Sequence, residues 1–138
     1  TAVQSIVPSV PGGTARSTAA ALSRGFVLGT FRTSGGFDHA YLWDPNVNFV
    51  DIGVLPGGFN SRAVEMITGN GAFGVLGVWE TGGGASHAFV WAAGQTLDLG
   101  TLGGPSSRAP DASGALVIGT SHAADGHERA FIRNLLQY

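Results

Sequence analysis

The sequence predicts an all-β protein of three repeated units, each of four short antiparallel strands, and three observations carry that expectation. First, the phrase Ser86-His87-Ala88-Phe89-Val90-Trp91, followed by Leu97-Asp98-Leu99-Gly100-Thr101-Leu102-Gly103-Gly104, recurs upstream. There it reads His39-Ala40-Tyr41-Leu42-Trp43 and then Val50-Asp51-Ile52-Gly53-Val54-Leu55-Pro56-Gly57-Gly58, and downstream it decays to Arg129-Ala130-Phe131-Ile132-Arg133. Second, Arg16, Arg62 and Arg108 stand 46 residues apart, each shortly after a Gly-Gly pair (Gly12-Gly13, Gly57-Gly58, Gly103-Gly104). A fixed period of that length marks a repeat architecture. Third, the 23 glycines and six prolines fall at turn-like places without a three-residue period, as tight turns between short strands require.

Taken in order, each unit opens with a strand after its arginine: Ser17 to Leu22, Ala63 to Thr68 and Ala109 to Ala112. A glycine-containing turn follows (Ser23-Arg24-Gly25, Gly69-Asn70-Gly71, Ser113-Gly114), and Asn-Gly is a strong hairpin signal because both residues accept positive φ. The second strand is Phe26 to Thr33, Phe73 to Glu80 or Leu116 to His122. The third carries the recurring phrase, in which His87, Phe89 and Trp91 share one face and Ala88 and Val90 the other. The fourth is Phe49 to Leu55 or Thr96 to Leu102.

The third unit reaches Tyr138 before any fourth strand. Ser5-Ile6-Val7-Pro8-Ser9-Val10-Pro11-Gly12-Gly13 matches the ending of a fourth strand with no other strand in front of it. We expect this segment to complete the last sheet and hide an edge that would template aggregation. The whole chain, 1–138, reads as one repeat domain with units at about 16–58, 62–104 and 108–138, the last completed by 1–13.

The phrases at 39 to 43, 87 to 91 and 98 to 104 resemble the HAF-family extracellular repeats of bacterial surface and secreted proteins. The likeness covers nearly all the chain and is specific for the first two units. It implies a β-propeller-like array and an extracellular or cell-envelope setting, and it implies no particular activity.

Four strands and about 46 residues per unit match one propeller blade, but propellers typically close with 4–8 blades. Two chains of three blades make six, so the expectation is a homodimer forming one six-bladed ring. The alternative is a monomeric β-trefoil, also three four-strand units. The tandem habit implied by the resemblance favours the propeller.

Composition narrows function mainly by exclusion. Charged residues make up 12% of the chain, about half the usual share, while 43% hydrophobic residues argue against disorder. Seven arginines, no lysine and nine acids give a net charge of −2, which leaves no electrostatic footprint for nucleic acid or an anionic membrane. No apolar run reaches the roughly 20 residues of a membrane span. With no cysteine, neither disulfides nor thiol chemistry contribute.

No residue set announces a reaction. There is no Gly-x-Ser-x-Gly elbow, no Gly-x-x-x-x-Gly-Lys run and no His-Glu-x-x-His, and no catalytic residue, cofactor or metal ligand is nominated. His39 and His87 hold equivalent places and read as structural imidazoles bonding a carbonyl between strands. The cluster His122-Ala123-Ala124-Asp125-Gly126-His127-Glu128 reads as a solvated turn with Asp125-Gly126 at its tip. Trp43 and Trp91 are expected to pack between blades. Trp79 is replaced by Phe31 and Ser121 in the other units, a variability that nominates Trp79 and Phe31 as an aromatic platform for a sugar, with simple packing of the ring as the alternative. Arg16, Arg62 and Arg108 are candidate anion ligands if they gather on one rim with the loops at Thr33 to Asp38, Thr81 to Ser86 and His122 to His127, and candidate ties between blades otherwise. The functional expectation is a non-catalytic, lectin-like module, secreted or at the cell surface, contacting a carbohydrate or another protein. A glycan-active enzyme with a site in the central channel is the alternative.

Overall fold

The computed structural model of the chain describes residues 16–44, 46, 48–69, 72–92, 94–113 and 115–135. Among them are eleven strands and no helix: β1 (Ser17–Ser23), β2 (Phe26–Arg32), β3 (Asp38–Asp44), β4 (Asn48–Gly53), β5 (Ser61–Gly69), β6 (Ala72–Glu80), β7 (Ser86–Ala92), β8 (Gln95–Gly100), β9 (Gly103–Ser113), β10 (Leu116–Ala123) and β11 (Glu128–Asn134). They form three separate antiparallel meanders, β1-β2-β3-β4, β5-β6-β7-β8 and β9-β10-β11, and no barrel. The expected completion of the third sheet by residues 5–10 falls outside the described residues.

Strand placement departs from expectation at two kinds of position. The fourth strands stop at Gly53 and Gly100 rather than at Leu55 and Leu102, because both glycines take positive φ, 75° and 72°, and leave the ladder. The first strand of the third sheet begins at Gly103, well before Ala109, because Gly103 to Ser107 run alongside β10, from Gly103 opposite Ala123 to Ser107 opposite Ser121. Two prolines fit within β9 because it is an edge strand, and Pro110 falls at a bulge where no ladder N–H is needed.

Cross-strand register fixes which residues are equivalent. Ser17 faces Phe31, Ser61 faces Trp79 and Ser107 faces Ser121. The bulge that follows falls at the same place in all three first strands, so Leu22, Met66 and Ala112 correspond. The steps between the serines are therefore 44 and 46 residues, not a uniform 46. Arg16 occupies the place of Asn60, whose carbonyl likewise accepts from the second strand: Arg32 N–H donates to Arg16 and Glu80 N–H to Asn60.

The three sheets stack through alternating faces. Leu28, Ala40 and Leu42 of the first sheet meet Ala63, Met66, Val75, Trp79 and Phe89 of the second. The reverse face of the second, with Ile67, Leu76, Ala88, Val90 and Leu99, meets Ala109 and Val117 of the third. Phe89 and Val90 thus serve different interfaces, as the period-2 pattern predicts. The seat is always the incoming sheet's first strand: β5 packs on β1, β2 and β3, and β9 on β5, β6 and β7.

Candidate functional site

Most of the recurring phrase is consumed in joining one sheet to the next. The Ala40 N–H donates to Ser61 Oγ at 2.8 Å, and the Ser61 hydroxyl donates on to the Gly53 carbonyl. One unit later the Ala88 N–H donates to Ser107 Oγ at 3.1 Å, and Ser107 to the Gly100 carbonyl at 2.6 Å. Positive φ at Gly53 and Gly100 is what turns those carbonyls out of their own ladders toward the next sheet. Both serines are 3% exposed, so each bolt satisfies backbone groups that would otherwise be buried without partners.

The histidines complete the junction. His39 Nδ1 lies 3.0 Å from Asp51, and His87 Nδ1 lies 2.9 Å from Asp98. The His87 Nε2–H donates to the Pro105 carbonyl at 3.1 Å, tying the second sheet to β9. Sequence reasoning expected the bond to a carbonyl and missed the aspartates. The signal was there: Asp51 and Asp98 each stand two residues before the glycine that ends a fourth strand, in the two units that have a histidine.

The aromatic platform does not survive. Trp79 is 7% and Phe31 4% exposed. Trp79 belongs to the core between the first two sheets, edge-on to His87 at a centroid distance of 5.8 Å. Phe31 lies edge-on to Phe49 at 4.9 Å. Both rings are buried, so neither is open to a sugar.

The rim expected from the loops does form. The three loops between second and third strands share one turn, in which Thr33, Thr81 and Ala123 donate to the carbonyls of Phe37, Ala85 and His127, with Gly36, Gly84 and Gly126 at positive φ. Phe37 of the first loop meets Phe59 of the next connecting segment, 5.7 Å between centroids. Asn60 bridges the two sheets there, accepting from Asp38 N–H and donating to Glu80, both at 2.8 Å. The cluster at His122 to Glu128 is the third of these turns. Asp125 accepts from the His127 N–H and pairs with Arg129, and no group of three or more metal-ligating side chains occurs among the described residues.

Between consecutive sheets at this rim lie two polar clefts at equivalent positions. One, of about 360 Å³, is lined by Thr18, Asp38, Asn60, Arg62, Glu80 and Ser86 among others. The other, of about 190 Å³, is lined by Ser86, Ser106, Arg108, Thr120, His122 and Glu128 among others. Ser86 borders both and makes them adjoin. The structure therefore places Arg62 and Arg108 in matching clefts. Arg16 is set apart by the register, with Thr18 where the other sheets have arginine. Among the described residues neither the Arg62 nor the Arg108 guanidinium has a hydrogen-bond or ion-pair partner, whereas Arg32 is held by Asp38 at 3.1 Å. Asp38, Glu80, Ser86 and Glu128, absent from the sequence-derived set, join the site because the sheet stacking brings them to the clefts.

No family model, curated protein or solved structure matches this chain. The described residues contain no helix long and apolar enough to cross a membrane.

Proposed function

We propose that the chain is a non-catalytic recognition module, secreted or at the cell surface, whose stacked sheets are propeller blades and whose rim clefts take an acidic carbohydrate. The observation that carries this reading is the pair of unpartnered guanidinium groups, Arg62 and Arg108, in adjoining equivalent clefts. An arginine with no internal partner keeps its forked donors for a ligand carboxylate, and hydroxyl-bearing neighbours such as Ser86, Ser106 and Thr120 suit a sugar. Two repeated clefts match a ligand that itself repeats. Three separate sheets stacked face to face favour blades over a trefoil, and two copies making a six-sheet ring is the closure we adopt.

The test is a glycan array that includes uronate-bearing oligosaccharides, read with Arg62→Ala and Arg108→Ala. Each charge-assisted bond contributes about 1.5–3 kcal/mol, so each change should weaken binding about tenfold or more. Binding that survives both changes overturns the site. Turnover of the oligosaccharide identifies a glycan-active enzyme instead, and binding of a protein but no glycan reassigns the ligand class.

A further inference from the structure

The junction seen twice inside the chain leaves one unused half at each end of the stack. At the far end, Ile118, Ala130 and Ile132 stand in register with Leu28, Ala40 and Leu42, and with Leu76, Ala88 and Val90. Those six are between 0% and 7% exposed. Ile118 is 47% and Ile132 68% exposed, and the neighbouring Leu116 is 43% exposed. At the near end, Ser17 holds the place of the bolting serines Ser61 and Ser107 and is exposed. Leu22 holds the place of Met66 and is 73% exposed, against 8% for the methionine. Phe31 and Tyr41 of that end face are 4% and 1% exposed and pack on Phe49. What remains open lies along β1, the first strand of its sheet, and first strands are what seat on a preceding sheet in both internal junctions.

Charge supplies the second argument. In the internal junctions the side chains of Asn60 and Ser106 accept from the backbone N–H groups of Asp38 and Ser86. The corresponding residues at the two ends are Arg16, in the place of Asn60, and Glu128, in the place of Asp38 and Ser86. Both are exposed. Continuing the stack by one more junction brings an arginine against a glutamate.

We propose that the exposed face of β10 and β11 docks β1 of a second copy of this chain, head to tail, with Ser17 bolting to the Ala130 N–H, Leu22 covering the Ile118 and Ile132 surface, and Arg16 pairing with Glu128. The assignment rests on the blade reading of the stack and is independent of what the clefts bind.

The test is the solution mass of the full chain as a function of concentration, for the native protein, Ile132→Asp, Arg16→Glu, Glu128→Arg and the double charge swap. The expected result is a mass above one chain for the native protein, loss of association for Ile132→Asp, at least tenfold weaker association for each single charge reversal, and recovery in the double swap. Circular dichroism checks that each variant is folded, and all three positions are exposed. A single-chain mass at every concentration, association indifferent to Ile132→Asp, or a double swap no better than the singles overturns the proposal. A mass that levels at two chains supports both the docking face and the six-sheet ring. Growth without a plateau supports the docking face and overturns the ring. Unchanged glycan binding by Ile132→Asp, whose position lines neither cleft, separates this interface from the clefts.

Discussion

The ring of Phe89 lies over Gly77, so close that a Cβ built on the glycine would come within 2.5 Å of the ring's Cζ. The same pairing recurs as Tyr41 over Gly29 and Phe131 over Gly119, each 2.8 Å from such a Cβ. A glycine in the second strand and an aromatic in the third are thus one structural unit, repeated in every sheet. Gly77→Ala must push both the ring and the Arg62 carbonyl aside, and overpacking of this kind costs about 1–3 kcal/mol. Denaturant midpoints should fall accordingly for Gly77→Ala and stay near the native value for Gly35→Ala, whose Cβ would meet nothing nearer than 3.6 Å.

Removing a bolting hydroxyl strands a buried donor. Ser61→Ala leaves the Ala40 N–H without its acceptor, and Ser107→Ala does the same to Ala88. Each should cost about 1–3 kcal/mol by equilibrium unfolding, and amide exchange at Ala40 or Ala88 should accelerate specifically in the matching variant.

Trp79 contributes bulk rather than a hydrogen bond, since its Nε1 has no partner. Trp79→Ala should cost about 3–5 kcal/mol. Trp79→Phe, the residue that the first sheet carries at this position, should cost less than half as much. Equal losses in thermal or chemical unfolding would mean that the indole nitrogen matters after all.

Burial pushes the Tyr41 phenol above its ordinary value of 10.0, and its hydroxyl donates to the Thr18 carbonyl at 3.1 Å. The folded chain therefore keeps this proton to higher pH than the unfolded chain does. The stabilisation is complete below the ordinary tyrosine range and disappears as pH rises through the value Tyr41 has in the fold. Tyr41→Phe should lose about 0.5–1.5 kcal/mol at neutral pH and show a shallower decline in alkali. Tyrosinate absorbance should show one of the chain's two tyrosines ionising late.

How much of this the sequence disclosed depends on how local the cause is. Alternation in His87 to Trp91 assigned both faces of β7 correctly because side-chain direction in a strand is set residue by residue. The arginine frame misled because Arg16 and Arg62 happen to share the later spacing, while the first hairpin of the first unit is shorter: Ser17 pairs with Phe31, 14 residues on, and Ser61 with Trp79, 18 residues on. Only the ladder register shows Thr18, not Arg16, opposite the clefts. Trp79 misled because this position changes identity from unit to unit and is nevertheless buried in all three sheets, as Phe31, Trp79 and Ser121. The cleft carboxylates Asp38, Glu80 and Glu128 sit at strand ends with no shared motif, and nothing short of the stacking could gather them.

The serine bolts all point the same way along the chain. Ala40 offers its N–H to a residue made later, and Ala88 does so again, while neither serine reaches forward to a sheet beyond its own. A polypeptide leaving the ribosome would therefore present each finished sheet as a ready seat for the strand translated next. Among the described residues, each junction can form as soon as the incoming sheet's first strand is made.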